Sequence, residues 1–242
     1  QITEEIKVRC QDGAYGRFAV LYRTNAQSRI LEERFVAAGI PYRLVGGVNF
    51  YQRREIKDVL AYLKTIANAA DDLAVQRILN VPKRGIGAAT VTAVGSFAAD
   101  REISFFEALR EAPASGIAGR SSEKIQRFLN LIAVFRRESE KLPIADLIRL
   151  VLEKSGYQEA LKEEGDLEAQ ARMENIEELI SKAVDFERDL SDVSDRAEEG
   201  LPADLPPLDR FLEEVALVAD IDRAEEGERV TLMTLHAAKG LE

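Results

Sequence analysis

The hydrophobic period of this 242-residue sequence changes twice, and no other feature constrains the fold as much. Residues 17 to 23, RFAVLYR, form an apolar, β-rich run between Gly16 and a polar turn, which is the pattern of a buried strand. ILEERFVAAGI then reads as a short helix with Ile30, Leu31, Phe35 and Val36 turned inward, and YRLVGG after Pro41 reads as a second strand closing on Gly46 and Gly47. Such a strand–helix–strand unit takes the right-handed crossover by default. From residue 48 to about residue 226 the period is helical instead. Ile56, Val59, Leu60, Leu63 and Ile66 make one apolar stripe; Ile125, Phe128, Leu129 and Ile132 make another. Ile144, Leu147, Ile148 and Val151 follow, then Ile176, Leu179, Ile180, Ala183 and Phe186, then Leu208, Phe211, Leu212, Val215 and Val218. Asp71 and Asp72 stand where they can cap the helix LAVQRIL, and the aperiodic stretch SDVSDRAEEGLPADLPP reads as a loop. The β pattern returns only at VTLMT, residues 230 to 234.

The expected architecture is therefore α/β with a large all-α insertion. Residues 1–47 and 227–242 belong to one interrupted α/β domain, and residues 48–226 form a helical domain inserted into it. The helical stripes are complete within the insertion, so it is expected to fold as a bundle in its own right. The chain starts at Gln1 and ends just past a strand, which reads as a piece of a larger protein.

Composition removes several classes of function. A single cysteine, Cys10, excludes an internal disulfide framework and any multi-cysteine zinc site, and a reduced cytosolic setting is the simplest reading. No run approaches the ~18 to 20 apolar residues of a membrane span. The net charge of −10 argues against nucleic acid when taken as a sum. Its distribution argues otherwise: residues 48–92 hold seven Lys/Arg against four acids, whereas residues 153–228 hold 25 acids against eight bases. A phosphate backbone would meet the first segment, and the second reads as a solvated helical face.

Two places can carry chemistry. The first is LNVPKRGIGAATV, residues 79 to 91, where one helix ends, a turn follows, and another helix begins at once. Gly85 and Gly87 let the backbone approach a ligand, the free N–H groups and positive dipole end of the next helix face the same point, and Lys83 and Arg84 add full charges. This is a helix–hairpin–helix design, which holds a DNA phosphate without reading bases; the bland reading is an ordinary turn between helices. SGIAGR, residues 115 to 120, is a faint second copy without the basic pair. The second place is the pair of strand ends, YRTNAQSR and TLHAAKGLE, because ligands of open α/β sheets bind at that edge. Arg23, Asn25, the only histidine, His236, and Lys239-Gly240 lie there. With one histidine, no Gly-x-Ser-x-Gly and no Gly-x-x-x-x-Gly-Lys-Ser/Thr, neither a Ser/His/Asp set nor a phosphate loop can be assembled.

AVLYRTNAQSR, IPYRLVGG, FYQRREIKDVLAYL, NVPKRGIG and LMTLHAAKGLE, collinear from about Arg17 to Glu242, together resemble the UvrD/PcrA/Rep family of superfamily 1 DNA helicases. The resemblance implies two RecA-like motor domains, each with an inserted domain, moving 3′ to 5′ on single-stranded DNA in the bacterial cytoplasm. This chain would then cover part of the second motor domain (2A) and its helical insertion (2B). By the same resemblance Arg23 and Asn25 match residues near the single strand, His236 matches a contact to its backbone, and Glu242 matches a glutamate near the ATP ribose. Gly85, Gly87 and Thr90 match the hairpin that holds duplex phosphates, and Lys64 a basic residue near that duplex. Asn49 stands where the family carries Lys or Arg. ATP and Mg²⁺ are implied for the full-length parent. The phosphate loop, the Mg²⁺-binding acidic motif and the arginine motifs are missing from these residues, so the chain alone is expected to bind no cofactor and to hydrolyse nothing. The implied partners are single-stranded and duplex DNA, the first motor domain, and repair or replication proteins, with no membrane. A different class of reading, a protein-docking or autoinhibitory module with little DNA affinity, suits the acidic helices and stays open on the sequence alone.

Overall fold

The computed structural model describes residues 1–10, 13–116, 119–196, 205–221 and 228–239. The chain divides into two compact units, one of Gln1–Ile56, Ala171–Glu178 and Glu213–Glu242, the other of Lys57–Gln170 and Leu179–Leu212. The sequence period changes near residues 47 and 227, whereas the compact units divide after residues 56 and 212, with residues 171–178 also in the first unit.

The first unit holds helix α1 (Ile2–Arg9), strand β1 (Ala19–Tyr22), helix α2 (Ser28–Ala37) and strand β2 (Tyr42–Val45), then, much later in the chain, strand β3 (Val230–Thr234) and the single turn α12 (Leu235–Ala238). The three strands form one parallel sheet in the order β1-β3-β2. The strand that arrives last is thus the central one, pairing Ala19 with Thr231 on one side and Tyr42 with Val230 on the other. Its burial follows from that position: Val230 and Leu232 are fully buried, and the nearly buried Thr231 hydroxyl accepts a bond from Arg43 Nε at 3.2 Å. A strand buried on both faces reads as a near-continuous apolar run, as VTLM does apart from Thr231. Val230, Leu232, Tyr22, Phe35, Ile40, Ile6 and Cys10 make the core of this unit. β1 is less covered than its sequence suggests, since Leu21 is 51% exposed.

Helix α2 corrects the sequence reading. Ile30 is half exposed, and the buried positions are Ser28, Arg29, Glu32 and Phe35. These are also at helical spacing, but three of the four are polar. They are buried because they are paired. Glu32 accepts bonds from Ser28 Oγ at 2.5 Å and from the Phe50 amide at 3.0 Å. Arg53 donates to Ser28 Oγ at 2.6 Å and to Asn175 Oδ1 at 2.7 Å, and Asn175 donates on to Glu55 at 2.5 Å. Arg29 bridges Glu33 and Glu178, and Tyr51 Oη donates to Glu33 at 2.6 Å. Burial lowers the pKa of Arg53 against the pull of Glu32 and Glu55, and burial, then Glu33, raises that of the Tyr51 phenol. Charges out of water are stable only in such fully bonded sets.

The second unit is helical: the greater part of α3 (Arg54–Ala67), then α4 (Asp72–Ile78), α5 (Ala88–Arg101), α6 (Phe105–Ser115), α7 (Ser122–Ser139), α8 (Ile144–Ser155) and α9 (Tyr157–Glu164), with portions of α10 (Leu167–Arg196) and α11 (Pro207–Ile221). Ile56, Val59, Leu60, Leu63 and Ile66 are buried along α3, as are the stripes read for α7 and α8 and the five positions from Ile176 to Phe186. The aperiodic stretch from Ser191 does not begin a loop: α10 runs on to Arg196. Loss of an apolar period marks loss of a buried face, and a helix without Gly or Pro can continue past it. Both aspartates at the start of α4 act at helix termini. Asp71 accepts from the Ala74 amide at 3.0 Å and Asp72 from the Phe105 amide at 2.7 Å, the latter at the first residue of α6. Asp71→Ala is expected to cost about 1 kcal/mol of stability, read as a lower urea midpoint in far-UV circular dichroism. An unchanged midpoint would show that water caps the helix as well.

Candidate nucleic-acid interface

The turn between α4 and α5 is built from its own backbone outward. α4 closes at Leu79, and the side chain of Asn80 reaches forward to accept from the Arg84 amide at 2.7 Å and the Ile86 amide at 3.4 Å. Ile86 is 2% exposed and anchors the tip. Gly85 has φ +70°, a conformation that costs any residue with a Cβ about 1 to 2 kcal/mol. Gly87 differs: it is the N-cap of α5, with extended backbone at φ −75° and ψ 159°, and a Cβ there would meet nothing within 4 Å. The openness in front of Gly87, not its backbone freedom, is what sets it apart. The amides of Thr90 and Val91 close on Gly87 O, while those of Gly87, Ala88 and Ala89 take part in no hydrogen bond among the described residues. Helix starts leave such donors free, with the positive end of the dipole behind them.

The side chains read as duplex contacts separate into two groups. Lys83 is exposed and, among the described residues, makes no ion pair. Arg84 turns inward. Its guanidinium donates to the carbonyls of Ile78 at 2.8 Å, Val81 at 3.0 Å, Leu79 at 3.3 Å and Pro82 at 3.4 Å, and to Tyr62 Oη. It also lies 5.5 Å from the centroid of the Phe128 ring. Burial raises the Tyr62 pKa and the Arg84 guanidinium pulls it back. Thr90 Oγ1 stands 3.2 Å from Ser121 Oγ, and Lys64 is exposed on α3. In SGIAGR, Gly116 ends α6 in the left-handed region and Gly119 begins a short 3-10 turn; Ile117 and Ala118 lie outside the described residues. Asn80 and Lys124, whose Nζ donates to Gly85 O at 2.8 Å, escaped the sequence reading. An Asn before a Pro-containing turn is a local signal that was there to be read. Lys124 comes from 39 residues downstream and leaves none.

The sheet ends gather the other group within the first unit. At the end of β1 the Gln27 side chain accepts from the Arg23 amide at 3.0 Å and the Thr24 amide at 3.3 Å, holding the polar turn in place. At the end of β3 the chain enters the single turn α12, which carries His236, with Thr234 Oγ1 accepting from the Ala237 amide at 3.1 Å. Gly46 makes room for this turn: its φ is +74° and a Cβ would stand 3.1 Å from that of Ala237. Arg23, Asn25 and His236, all exposed, line one cavity of about 270 Å³ together with Thr24, Thr234 and Glu174. Asn49 stands at the N-cap position of the short turn Phe50–Gln52, where its carbonyl accepts from the Gln52 amide at 2.9 Å and its side chain makes no cap bond. Lys239 is exposed, and Gly240 and Glu242 lie outside the described residues. Among the described residues no three His, Cys, Asp or Glu side chains converge as metal ligands. No described helix is long and apolar enough to cross a membrane.

A helix-rich chain with a small parallel sheet fits a helicase C-terminal domain, and the family model for the UvrD-like helicase C-terminal domain matches residues 1–242; the chain belongs to that family. Its relatives include the ATP-dependent DNA helicase PcrA of Staphylococcus aureus (strain Mu50 / ATCC 700699), 45% identical over 241 residues that cover 100% of this chain and 32% of the relative. The protein of the same name from Staphylococcus epidermidis (strain ATCC 12228 / FDA PCI 1200) is 44% identical over 228 residues, 94% of this chain and 30% of the relative. The chain thus spans about a third of the length of the curated relatives it matches.

Proposed function

We propose that this chain is the DNA-gripping part of an ATP-driven 3′-to-5′ helicase: a portion of a RecA-like second motor domain, residues 1–47 and 227–242, that holds the single strand, and a helical insertion, residues 48–226, that holds the duplex through a helix–hairpin–helix. The observation that carries this reading is the set of open amides at Gly87, Ala88 and Ala89 beside the exposed Lys83. Three donors at a helix start suit one phosphate oxygen cluster and no base edge, so the grip is indifferent to sequence. The strand-end cavity supports the other half, because Arg23, Asn25 and His236 offer donors to a phosphodiester. ATP hydrolysis belongs to the rest of the parent protein, and the acidic helices are read as a solvated face apart from Glu174, which stands on the cavity wall.

Affinity of the isolated chain for a forked duplex is expected in the non-specific range, about 10⁻⁴ to 10⁻⁶ M, falling steeply with salt. Arg23→Ala is expected to flatten the single-strand salt slope by about 0.7, measured by fluorescence anisotropy on an oligothymidylate, with duplex binding unaffected. A chain that binds neither substrate, or an Arg23→Ala variant with the full slope, would remove the corresponding half of the proposal.

A further inference from the structure

Lys124 has no role in the reading above, and its position is electrostatically odd. It sits in the first turn of α7, three residues after the N-cap Ser121, with Arg120 immediately before the cap. The N-terminal turn of a helix favours anions and disfavours cations by about 0.3 to 1 kcal/mol. A residue that breaks such a local rule is expected where something other than stability selects it. Its chain is not idle. Nζ donates to Gly85 O at 2.8 Å, and a Cβ on Gly85 would stand only 2.7 Å from Nζ. An ammonium has three donors, and this bond occupies one of them. The first turns of α5 and α7 also meet, through Thr90 Oγ1 and the 8% exposed Ser121 Oγ at 3.2 Å. Lys124 is exposed and, among the described residues, pairs with no carboxylate. Its neighbour Glu123 pairs with Arg127 instead, and adjacent residues on a helix do not face one another.

We propose that Lys124 is a duplex-phosphate contact, reaching from α7 to the hairpin tip to supply the charge that Arg84, committed to the carbonyls behind the turn, does not. The phosphate then meets the open amides of Gly87, Ala88 and Ala89 on the hairpin and two ammonium groups flanking it, Lys83 and Lys124. The bond to Gly85 O holds the Lys124 side chain at the tip before DNA arrives, so less side-chain freedom is lost on binding. An anion there also relieves the misplaced charge at the start of α7.

The inference rests on the duplex-binding reading, and its test separates the two. Fluorescence anisotropy of the 242-residue chain on a forked duplex across a salt series compares wild type with Lys124→Gln, Lys124→Arg and Lys141→Gln. Lys141 is exposed and lies just past the other end of the 18-residue α7, so its loss removes the same charge at a distance. Lys124→Gln is expected to weaken binding about fivefold for every sequence alike and to flatten the salt slope by about 0.9. Lys124→Arg is expected to restore most of both, and Lys141→Gln to change neither. If wild type shows no salt-dependent duplex binding, the duplex reading itself fails and this inference with it. If wild type binds and Lys124→Gln binds with the same slope, the lysine serves only Gly85 O and the inference alone is overturned. Equal slopes for the Lys124 and Lys141 variants would also overturn it, because overall charge would then be the cause.

Discussion

Gly87→Val is expected to lower the affinity for a forked duplex by about tenfold or more while leaving the fold of the chain intact. The magnitude follows from the contacts at stake: hydrogen bonds to charged groups contribute about 1.5 to 3 kcal/mol each, and about 1.4 kcal/mol is a factor of ten. A β-branched side chain at the N-cap of α5 stands in front of the open amides of Gly87, Ala88 and Ala89, where a phosphate would sit. The fold tolerates it because φ −75° and ψ 159° suit valine and a Cβ at 87 meets no atom within 4 Å. Replacing a glycine N-cap with valine costs up to about 1 kcal/mol, too little to unfold a core of this size. Gly85→Ala is the reciprocal variant. It strains a backbone at φ +70° and displaces the end of Lys124, so it is expected to lower stability by about 1 kcal/mol before any effect on DNA. Anisotropy for binding and circular dichroism for folding separate the two variants. A folded Gly87→Val chain that binds like wild type would reduce the hairpin to a structural turn.

Period and turn chemistry made most of the frame legible, and the limits have physical causes. Apolar stripes report faces buried against other apolar side chains, so α3, α7, α8 and the middle of α10 were readable. The same rule placed Ile30 inward, because it has no means of seeing that Ser28, Arg29 and Glu32 bury themselves by bonding to Arg53, Glu178 and the Phe50 amide. Those partners lie 18 to 149 residues away in sequence, apart from the bond within α2. The turn between α4 and α5 was legible as two glycines beside two bases, but the sequence does not tell which glycine needs a left-handed backbone or which base faces out. Both are decided by residues on other elements: Tyr62 and Phe128 draw Arg84 inward, and Lys124 arrives against Gly85. Ligands at the strand ends were expected from the edge rule for open α/β sheets; the structure adds that β1 and β3 are adjacent parallel strands with a cavity at their C-terminal ends. Glu174 on its wall was not expected, because α10 supplies it from a distant part of the chain.

Arg84→Ala is expected to cost about 3 kcal/mol of stability, more than any other single change in the turn between α4 and α5. One guanidinium donates to the carbonyls of Ile78 and Leu79 at the end of α4 and of Val81 and Pro82 in the turn; Ile78 O also accepts from the Val81 amide and Val81 O from Tyr62 Oη, so the Leu79 and Pro82 carbonyls depend on it most. A carbonyl left unsatisfied away from water costs about 1 to 3 kcal/mol, and the contact with the Phe128 ring adds on the order of 0.5 to 2 kcal/mol. Water reaches some of these oxygens in the half-buried turn, which holds the total near the lower end of the sum. Lysine is a poor substitute, since a single ammonium cannot meet the carbonyls and the Tyr62 hydroxyl at once as Nη1 and Nη2 of a planar fork do. Arg84→Lys is therefore expected to recover less than half of the loss, although it keeps the charge. Urea denaturation gives the stability, and the salt slope on a forked duplex gives the role in binding. For a residue that builds the turn, the urea midpoint falls in both variants, while Arg84→Lys, assayed where it is folded, keeps the wild-type slope. A wild-type urea midpoint in Arg84→Ala, with a salt slope flatter by about one unit, would instead place the guanidinium on the phosphate.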